Sequence, residues 1–446
     1  MKKNELKGIT ITDLTIEGNG VGRIENMAVF VAGMLPGESG LVRIIKVSKN
    51  YAVARKEQLT VSSPERVCPP CPVFSRCGGC ALMHLNYDSQ LKFKKKHVED
   101  CIRRIAKCDA PVDDVIASAE IYNYRNKSAF PVRSERGELK IGMFCRRSHD
   151  VINRTDCLIA KKSAYEITKK IRGFMTDYSI SAYDEKTQRG IVRHIVLRET
   201  SLKEISAVIV INASSLPHAC ELVKLLSKDV STLAVNINTD PGNKILSDNT
   251  VILYGENTVK ENILGNLYEI SPNSFLQVNH GSTEKLYSLA LSYASLDKND
   301  ILADLYCGAG TITLLAARSC KKVYGIEIVP AAIENARRNA ALNGIGNAEF
   351  LCADCKDGFN EILKRSGKPD AIILDPPRKG LSEQVIYDVC SQNAERIVYI
   401  SCDPATLARD LSIFIKKGYA PKKISPVDMF PHTTHVETVV LLSQLK

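Results

Sequence analysis

Two residues near the C-terminus combine a nucleophile with a carboxyl group. Cys402 lies in ISCDP (400–404), at the end of an apolar strand-like run, and Glu437 lies just ahead of the Val-rich run that follows it. A cysteine at such a place is most often an inert buried thiol. A strand, however, seldom needs a buried carboxylate there. If one site holds both, Cys402 is a candidate covalent nucleophile and Glu437 a candidate base.

A glycine-containing turn earlier in the chain predicts a nucleotide site. DLYCGAG (304–310), which includes Tyr306, follows a strand and precedes a helix, so its backbone can approach a ligand closely. Glu327 ends the next strand, where an acidic side chain can accept hydrogen bonds from ribose hydroxyls. The turn lacks both the third glycine of a dinucleotide fingerprint and a P-loop lysine motif. It therefore favours a ligand without a pyrophosphate, namely S-adenosylmethionine.

Two more carboxyl groups follow strands at the same predicted sheet edge. Asp354, in CAD (352–354), is placed to meet an adenine amino group, and Asp375 opens DPPRKG (375–380). Each of them alone has an alternative role as a helix N-cap. Together with the turn and Glu327, they indicate one cofactor crevice at successive strand ends.

A cysteine and a carboxylate beside a methyl donor suit methylation of carbon 5 of uracil. That carbon is too electron-poor to attack a sulfonium methyl group directly, but addition of a thiolate at carbon 6 makes it nucleophilic. A base then removes the carbon 5 proton, and elimination frees the cysteine. Methylation of an exocyclic amine needs no covalent step and typically shows an aromatic residue after Asp-Pro-Pro, where this chain has Arg378.

The elements that must position these residues fall into distinct regions. Residues 1–62 have the short strands and Gly-rich turns of a small β-barrel; GNGVGRI (18–24) is interpreted as a hairpin turn rather than a phosphate loop, since no helix follows it. Residues 63–91 and 118–262 predict a central α+β domain, and 92–117 a helix that packs on the catalytic domain. In residues 263–446, strands alternate with helices, which predicts a doubly wound, Rossmann-like α/β sheet.

The helix around residues 88–107 has a strongly basic polar face. Its predicted apolar face comprises Leu91, Val98, Ile102 and Ile105. The pattern therefore predicts that these four side chains are the buried ones.

Charge is unevenly distributed along the 446 residues. The net charge is +10, yet residues 263–446 carry 20 basic and 20 acidic side chains, so the excess lies before them. Residues 121–172 are the densest stretch, with 13 basic and 5 acidic side chains. Such a field attracts the phosphates of RNA or DNA, although a solvated basic face is the alternative.

The cysteine count and the hydropathy pattern exclude several classes of protein. A polar N-terminus, no apolar run long enough for a membrane span and an odd number of cysteines, 15, argue against secreted, membrane and disulfide-stabilised proteins. The composition also excludes disordered and fibrous chains. We therefore expect a cytoplasmic protein that does not bind membranes.

A cysteine-rich segment at residues 68–80 is a candidate metal site. Cys68 and Cys71 form one C-x2-C pair, and Cys77 and Cys80 form another, which together would make a four-thiolate zinc site. The five-residue loop between the pairs is shorter than in usual zinc ribbons.

In combination, the motifs resemble the RNA uracil-5-methyltransferase family, specifically members with an N-terminal TRAM domain and an iron–sulfur cluster. They are FLQVN (275–279), DLYCGAG, GIE (325–327), DPPRKG, SCDPATLARD (401–410) and HVET (435–438). The resemblance covers nearly the whole chain. It implies a class I S-adenosylmethionine-dependent methyltransferase domain, an OB-like TRAM barrel and a central α+β domain.

The resemblance also implies roles for individual residues. Cys402 would be the nucleophile and Glu437 the base, and Arg125 in YRNK (124–127) would contact an RNA phosphate or base. The family often has Asn after the nucleophile, where this chain has Asp403. The residues implied to contact S-adenosylmethionine are Gln277, Tyr306, Glu327, Asp354 and Asp375.

For the cysteines, the resemblance implies a [4Fe–4S] cluster in place of zinc. Its ligands would be Cys71, Cys77, Cys80 and the distant Cys157, with Cys68 as an extra cysteine. Four thiolates hold such clusters. We expect the cluster to clamp the central domain rather than to carry out redox chemistry.

The expected partner is RNA, bound by a monomer. Members of the family with both a TRAM domain and the cysteine cluster act mostly on 23S rRNA, so rRNA is favoured and tRNA is the alternative. The target uridine would have to leave its stack to reach Cys402. A non-catalytic RNA-binding or assembly protein is the alternative from another class, against which the pair Cys402 and Glu437 argues.

Overall fold

The N-terminal region is a closed five-stranded barrel. The computed structural model describes residues 1–135 and 137–445. The barrel strands are β1 (Leu6–Leu14), β2 (Asn19–Ile24), β3 (Met27–Ala32), β4 (Ser39–Val47) and β5 (Tyr51–Val61). Alternating apolar side chains such as Ile11, Val29 and Val31 fill its interior. The predicted barrel is therefore confirmed.

The segment interpreted as a turn, GNGVGRI, is largely a strand, so that interpretation was wrong. Gly20 and Gly22 lie within β2. A β-carbon at Gly20 would lie 2.7 Å from the carbonyl oxygen of Met34, and one at Gly22 would lie 2.5 Å from that of Thr10. Because no side chain fits there, these glycines permit close backbone packing in the barrel.

Gly18 forms the turn between β1 and β2 and fits the barrel against the rest of the chain. Its φ of +77° lies in the left-handed region. A β-carbon there would lie 3.1 Å from the Leu82 side chain and 3.3 Å from the Thr434 side chain. The barrel turn thus touches both the cysteine-rich segment and a loop near the C-terminus.

A helix after the cysteine-rich segment packs on the C-terminal sheet. It comprises α1 (Tyr87–Cys101), capped by the Asn86 side chain, and a π-helical turn at Ile102–Ala106. Val98 and Ile102 are buried as predicted, but Leu91 is only partly buried and Ile105 is 42% exposed. Gln90 and Lys94 are buried instead. No helix in the described part of the chain is long and apolar enough to cross a membrane.

The central region is a six-stranded sheet with helices on one face. Its strand order is β13-β12-β11-β10-β6-β7, with β8 and β9 as a separate pair. Side chains from α2 and α3 pack on the sheet in one apolar core. The elements are β6 (Lys127–Glu135), β7 (Glu138–Ile141), β8 (Met143–Phe144), β9 (Val151–Ile152), α2 (Lys162–Asp177), β10 (Val192–Glu199), β11 (Ile205–Ile211), α3 (Ala219–Leu226), β12 (Thr232–Ile237) and β13 (Thr250–Gly255).

The C-terminal region begins with a hairpin and a helix that pack on a large sheet. The hairpin strands β14 (Val259–Ile263) and β15 (Asn266–Ile270) run across the domain boundary predicted after residue 262, and α4 (His280–Ala294) follows. The sheet elements are β16 (Ile301–Leu305), α5 (Thr311–Ala317), β17 (Lys322–Glu327), α6 (Pro330–Leu342), β18 (Ala348–Cys352), α7 (Cys355–Ser366), β19 (Ala371–Leu374), α8 (Glu383–Ser391), β20 (Arg396–Ser401), α9 (Pro404–Lys416), β21 (Tyr419–Val427) and β22 (Glu437–Gln444).

The seven strands of this sheet have the order β18-β17-β16-β19-β20-β22-β21. The first five are parallel, and apolar cores cover both faces, which confirms the predicted doubly wound sheet. The strand order reverses between β16 and β19, the switch point where such sheets bind ligands. After α9 the alternation ends: β21 and β22 are antiparallel, and β22 lies between β21 and β20.

Candidate active site

A cavity of about 630 Å³, a volume that suits a nucleoside-sized ligand, opens at the switch point. This cavity lies at the carboxyl ends of β16, β17 and β19, and it is the one that matters for the chemistry. Three of the predicted cofactor residues line it: Tyr306, Glu327 and Asp375. The strand-end reasoning therefore brought together residues that share one cavity.

The turn after β16 is shaped by residues in the left-handed backbone region. Tyr306 has a φ of +64°, and Gly308 and Gly310 have φ values of +54° and +81°. Tyrosine seldom adopts this conformation, which is found more often at ligand sites than elsewhere. The turn directs the Gly308 N–H group toward Glu327, to whose Oε2 it donates at 3.3 Å.

Glu327 is held by backbone amides at the end of β17. Its Oε1 accepts hydrogen bonds from the amides of Ile328 at 2.8 Å and Val329 at 2.9 Å. These donors fix the carboxylate at the cavity wall, where its remaining lone pairs can accept hydrogen bonds from hydroxyl groups.

Asp304 is a cavity residue that sequence reasoning missed. It is fully buried, and Thr313 Oγ1 donates to its Oδ2 at 2.5 Å, whereas its Oδ1 has no partner among the described residues. Burial raises the pKa of Asp304 to about 7. Its place near the end of β16 was a usable signal, because the same strand-end rule identified Glu327 and Asp375.

Two predicted cofactor residues lie outside the set that lines the cavity. Gln277 is buried, and its backbone oxygen accepts a hydrogen bond from the Asn126 side chain at 3.2 Å. Asp354 is the N-cap of α7 and accepts from the Asp357 amide at 2.9 Å, which is the alternative role considered for it. Contact with a cofactor stays a prediction for both residues.

The candidate nucleophile and base lie on neighbouring strands. β20 and β22 are antiparallel, with Ser401 paired to Thr438, so the pairing continued by one residue brings Cys402 opposite Glu437. Glu437 is only 3% exposed. Burial, and to a smaller extent the charge of Asp375, raise the pKa of Glu437 to about 8 against the opposing charge of Arg378.

Cys402 shares this electrostatic environment. Burial, together with the charges of Glu437 and Asp375, raises the pKa of the half-buried Cys402 thiol to about 11, although the charge of Arg378 lowers it. Both groups are therefore mainly neutral at pH 7 in this state. Arg378 is the cation that favours the anionic form of each, which the sequence analysis did not assign to it.

Arg125 lies where the central region meets the C-terminal region. Its backbone bridges Ala160 and Asn279, and its Nε donates to the Lys127 oxygen at 3.0 Å. Burial lowers the pKa of His435, and the charges of Arg378 and Arg125 lower it further. The two arginines thus lie near the same histidine, two residues before Glu437.

The structure brings the four predicted cluster cysteines together. Burial raises the pKa of Cys80 to about 12, and nearby Cys157, Cys77 and Cys71 raise it further. Cys71, Cys80 and Cys157 also pack around one small apolar cluster.

Two observations limit what these thiols do in this arrangement. Cys68 is exposed, and it is not among the groups that shift the pKa of the other thiols. Within residues 1–135 and 137–445, no three His, Cys, Asp or Glu side chains are grouped so that they could hold a metal ion. The thiols therefore lie near one another without forming a preformed site for any metal, zinc or cluster, in the described part of the chain.

Comparisons with known proteins agree with this architecture. Residues 86–445 match the family described as tRNA (Uracil-5-)-methyltransferase, and residues 3–56 match the TRAM domain. A Clostridium tetani protein named as an uncharacterized RNA methyltransferase is 39% identical over 99% of this chain and 97% of its own length. A Listeria innocua protein of the same description is 40% identical over 99% of this chain and 98% of its own length.

A solved structure is similar over almost the full length. It is the crystal structure of Pyrococcus abyssi tRNA (uracil-54, C5)-methyltransferase in complex with S-adenosyl-L-homocysteine. The TM-score is 0.79 at 28% sequence identity, and the match covers 98% of this chain and 100% of that chain.

Replacing Glu437 with Gln should stabilise the protein increasingly as pH rises. A carboxyl group whose pKa rises from 4.5 to about 8 on folding keeps its proton where the unfolded chain has lost it. Stability is therefore lost as pH increases through this range. Gln mimics the protonated form, so at pH 9 we expect Glu437→Gln to be more stable than the unsubstituted protein by about 1–3 kcal/mol.

Thermal unfolding between pH 5 and pH 9 measures this difference. The exposed Glu395 supplies the matched control, since Glu395→Gln should show a nearly constant difference. A Glu437→Gln advantage that is constant with pH, or that grows toward acid, would contradict the buried neutral carboxyl group.

Proposed function

The chain belongs to the tRNA (uracil-5-)-methyltransferase family and carries a TRAM domain, and we propose that it methylates carbon 5 of a uridine in 23S rRNA. The observation that carries the proposal is the placement of Cys402 opposite Glu437, with Asp375 linking this pair to the cofactor cavity. Family membership makes the chain an S-adenosylmethionine-dependent RNA methyltransferase, in preference to a non-catalytic RNA-binding protein.

S-adenosylmethionine would occupy the cavity at the switch point and supply an electrophilic methyl group. We assign Glu327 to the ribose hydroxyls, and Tyr306 and Asp375 to contacts elsewhere in the cavity they line. The unpartnered Oδ1 of Asp304 suits the ammonium group of the methionine part. Gln277 and Asp354 complete the proposed set, and neither is among the residues that line the cavity in this structure.

Cys402 and Glu437 divide the chemistry between them. The Cys402 thiolate adds to carbon 6, which forms an S–C bond and moves an electron pair of the ring toward carbon 5 and oxygen 4. Carbon 5 takes the methyl group, whose bond to the sulfonium sulfur would break to leave S-adenosylhomocysteine, and Glu437 in its carboxylate form removes the proton from carbon 5. The C6–S bond then breaks, which restores the double bond between carbon 5 and carbon 6 and frees the Cys402 thiolate.

Arg378 supports both steps through its charge. Burial disfavours the Cys402 thiolate and the Glu437 carboxylate, and Arg378 lowers the pKa of each. The enclosed site also keeps water away from the covalent intermediate. Burial thus excludes water but disfavours the anionic forms of Cys402 and Glu437, and the charge of Arg378 partly offsets that effect.

RNA would approach from the side of the barrel and the central region. Arg125 lies near His435 and Arg378, where a guanidinium can bind a phosphate or a base edge. The basic excess before residue 263 supplies a field for the remaining phosphates. A uridine rotated out of its stack would bring its C5–C6 edge to Cys402.

The choice of 23S rRNA rests on the resemblance to members that combine a TRAM domain with the cysteine set. One observation favours tRNA as a second candidate: the Pyrococcus abyssi enzyme, whose name specifies a tRNA uridine, is similar over 98% of this chain. The two candidates share the same chemistry and differ only in the RNA.

We also propose that Cys71, Cys77, Cys80 and Cys157 hold a [4Fe–4S] cluster. Support comes from the donor set, because Cys71, Cys80 and Cys157 pack on one apolar cluster, Cys77 lies near them, and Cys68 is exposed and apart. Arg146 donates to the Cys77 and Cys80 carbonyl oxygens at 3.0 and 2.6 Å, which places a cation beside these thiols. Such a cluster would join the segment 71–80 to residue 157 and so stabilise the central region.

Covalent trapping tests the chemistry. RNA that carries 5-fluorouridine at the target should form a stable adduct, because fluorine replaces the proton that Glu437 must remove. The methylated adduct should form only when S-adenosylmethionine is present, and no adduct should form with Cys402→Ala. Denaturing electrophoresis and mass spectrometry measure both outcomes. An adduct that persists in Cys402→Ala, or none with the unsubstituted protein, would contradict the mechanism.

Mapping of 5-methyluridine tests the RNA class. A strain that lacks the gene should lose this modification at a 23S rRNA position and keep it in tRNA, as measured by mass spectrometry of both RNAs. Complementation with the gene, but not with Cys402→Ala, should restore it. Loss of the tRNA modification with unchanged rRNA would establish the second candidate instead.

Two single cysteine variants test the cluster. Protein purified without oxygen and supplied with iron and sulfide should contain four irons per chain in proportion to its broad visible absorption. Cys157→Ser should lose most of this iron, and Cys68→Ser should retain it. Equal retention in both variants, or zinc in place of iron, would show that the ligand assignment is wrong.

A further inference from the structure

The loop at residues 428–436, here called the base loop, ends directly before Glu437. It leaves β21 after Val427 and returns at the start of β22. His432, at its centre, has a φ of +67° and is 3% exposed. A buried loop with a left-handed histidine keeps this shape only if surrounding groups hold it.

Gln90 of α1 holds the centre of the base loop with both ends of its side-chain amide. Its Oε1 accepts from the His432 amide at 2.9 Å, and its Nε2 lies 3.3 Å from His432 Nδ1. The same Nε2 donates to the Leu85 oxygen at 2.7 Å, which fixes the orientation of the amide. Gln90 is 1% exposed, so water does not compete for these bonds.

Lys94, one helical turn after Gln90, holds the start of the same loop. Its ammonium donates to Asp428 Oδ1 at 2.6 Å and to the Phe430 oxygen at 3.0 Å, and the Lys94 and Asp428 side chains are both fully buried. Tyr87 donates to the other Asp428 oxygen at 2.9 Å. A buried ion pair often stabilises a fold no more than an apolar pair of similar size, whereas loss of one partner leaves the other charge buried and unpaired.

The residues directly after the cysteine-rich segment hold the base loop from another side. The amides of Ala81 and Leu82, the two residues after Cys80, both donate to the His432 oxygen, at 3.0 and 2.9 Å. The Tyr122 ring stacks on the His432 ring with centroids 4.8 Å apart, and Tyr124 donates to the Pro431 oxygen at 3.0 Å. Two segments far from the catalytic sheet in sequence thus hold Pro431 and His432 at the centre of the base loop.

We propose that Gln90 and Lys94 are positioning residues for Glu437, and that α1 and the segment after Cys80 together hold the base loop in the geometry that proton removal needs. The inference rests on the proposed function, since it assigns a purpose only if Glu437 is the base. Neither residue lines the cofactor cavity as the described residues define it.

The proposal has a kinetic signature, because the base acts late. Cys402 follows β20 and begins the turn into α9, so its place depends on that strand and helix rather than on the base loop. Loosening the loop should leave thiolate addition and methyl transfer nearly intact, while proton removal slows. The methylated RNA would then stay bonded to Cys402, and the covalent adduct would accumulate with natural, unfluorinated RNA.

Single-turnover kinetics with methyl-labelled S-adenosylmethionine can separate these steps. In Gln90→Met and Lys94→Met, we expect methyl transfer to RNA within about threefold of the unsubstituted enzyme and an adduct that lasts about tenfold longer or more. Lys92→Met is the matched control, since Lys92 lies on the same helix but is exposed, and it should leave the lifetime of the adduct unchanged. Glu437→Gln sets the upper limit for adduct accumulation.

Two further variants keep the test decisive if Lys94→Met fails to fold with Asp428 unpaired. Lys94→Met/Asp428→Asn removes both charges, and Tyr124→Phe removes only the hydroxyl that binds the loop at Pro431. Each should prolong the adduct relative to Lys92→Met. If methyl transfer and product release fall in parallel in all folded variants and no adduct accumulates, the proposal is overturned. Failure of the proposed function itself is distinct, because then the unsubstituted enzyme would form no adduct even with 5-fluorouridine.

Discussion

The carboxyl group of Glu437 lies enclosed beside a thiol and a second carboxyl group, and much of the fold is needed to keep it there. In water, such a group would ionise far below neutral pH; in this site burial raises its pKa to about 8. Only a strand that runs antiparallel to β20 can place its first residue opposite the residue after β20. That strand must be reached by a buried loop, and the loop needs partners from outside the sheet.

Those partners come from segments that a catalytic domain alone would not contain. α1 and the π-helical turn after it pack on the sheet through Val98 and Ile102, and α1 presents Gln90 and Lys94 to the loop. The segment after Cys80 closes the other side. The N-terminal half of the chain is thus part of the scaffold of the reaction site as well as a surface for RNA.

The sequence predicts what depends on local pattern and misses what depends on distant partners. Tyr306, Glu327 and Asp375 could be found because a strand that ends in a polar residue is visible in a short window. Lys94 could not, because helical periodicity assigns it to the polar face and its partner Asp428 lies 334 residues away. The glycines of β2 were misread for a similar reason, since the atoms that exclude a side chain at Gly20 belong to Met34, after β3.

Charge shows the same limit. The basic excess before residue 263 predicts a phosphate-binding field, yet part of it is internal. Arg193 is buried and donates to the carbonyl oxygens of Asn238 and Asp240, and buried Arg198 donates to that of Ser274. These arginines connect strands and loops within the protein, so a count of basic residues overstates the charge that faces solvent.

The close approach of Gly18 to Thr434 has a consequence for how an RNA substrate is selected. A β-carbon at Gly18 would lie only 3.3 Å from the Thr434 side chain, so the barrel turn packs closely on the loop that leads to Glu437. For an RNA that contacts both the barrel and the reaction site, the protein would set the distance between the nucleotides on the barrel and the rotated uridine. Substrate selection would then depend on the length and shape of the folded RNA backbone.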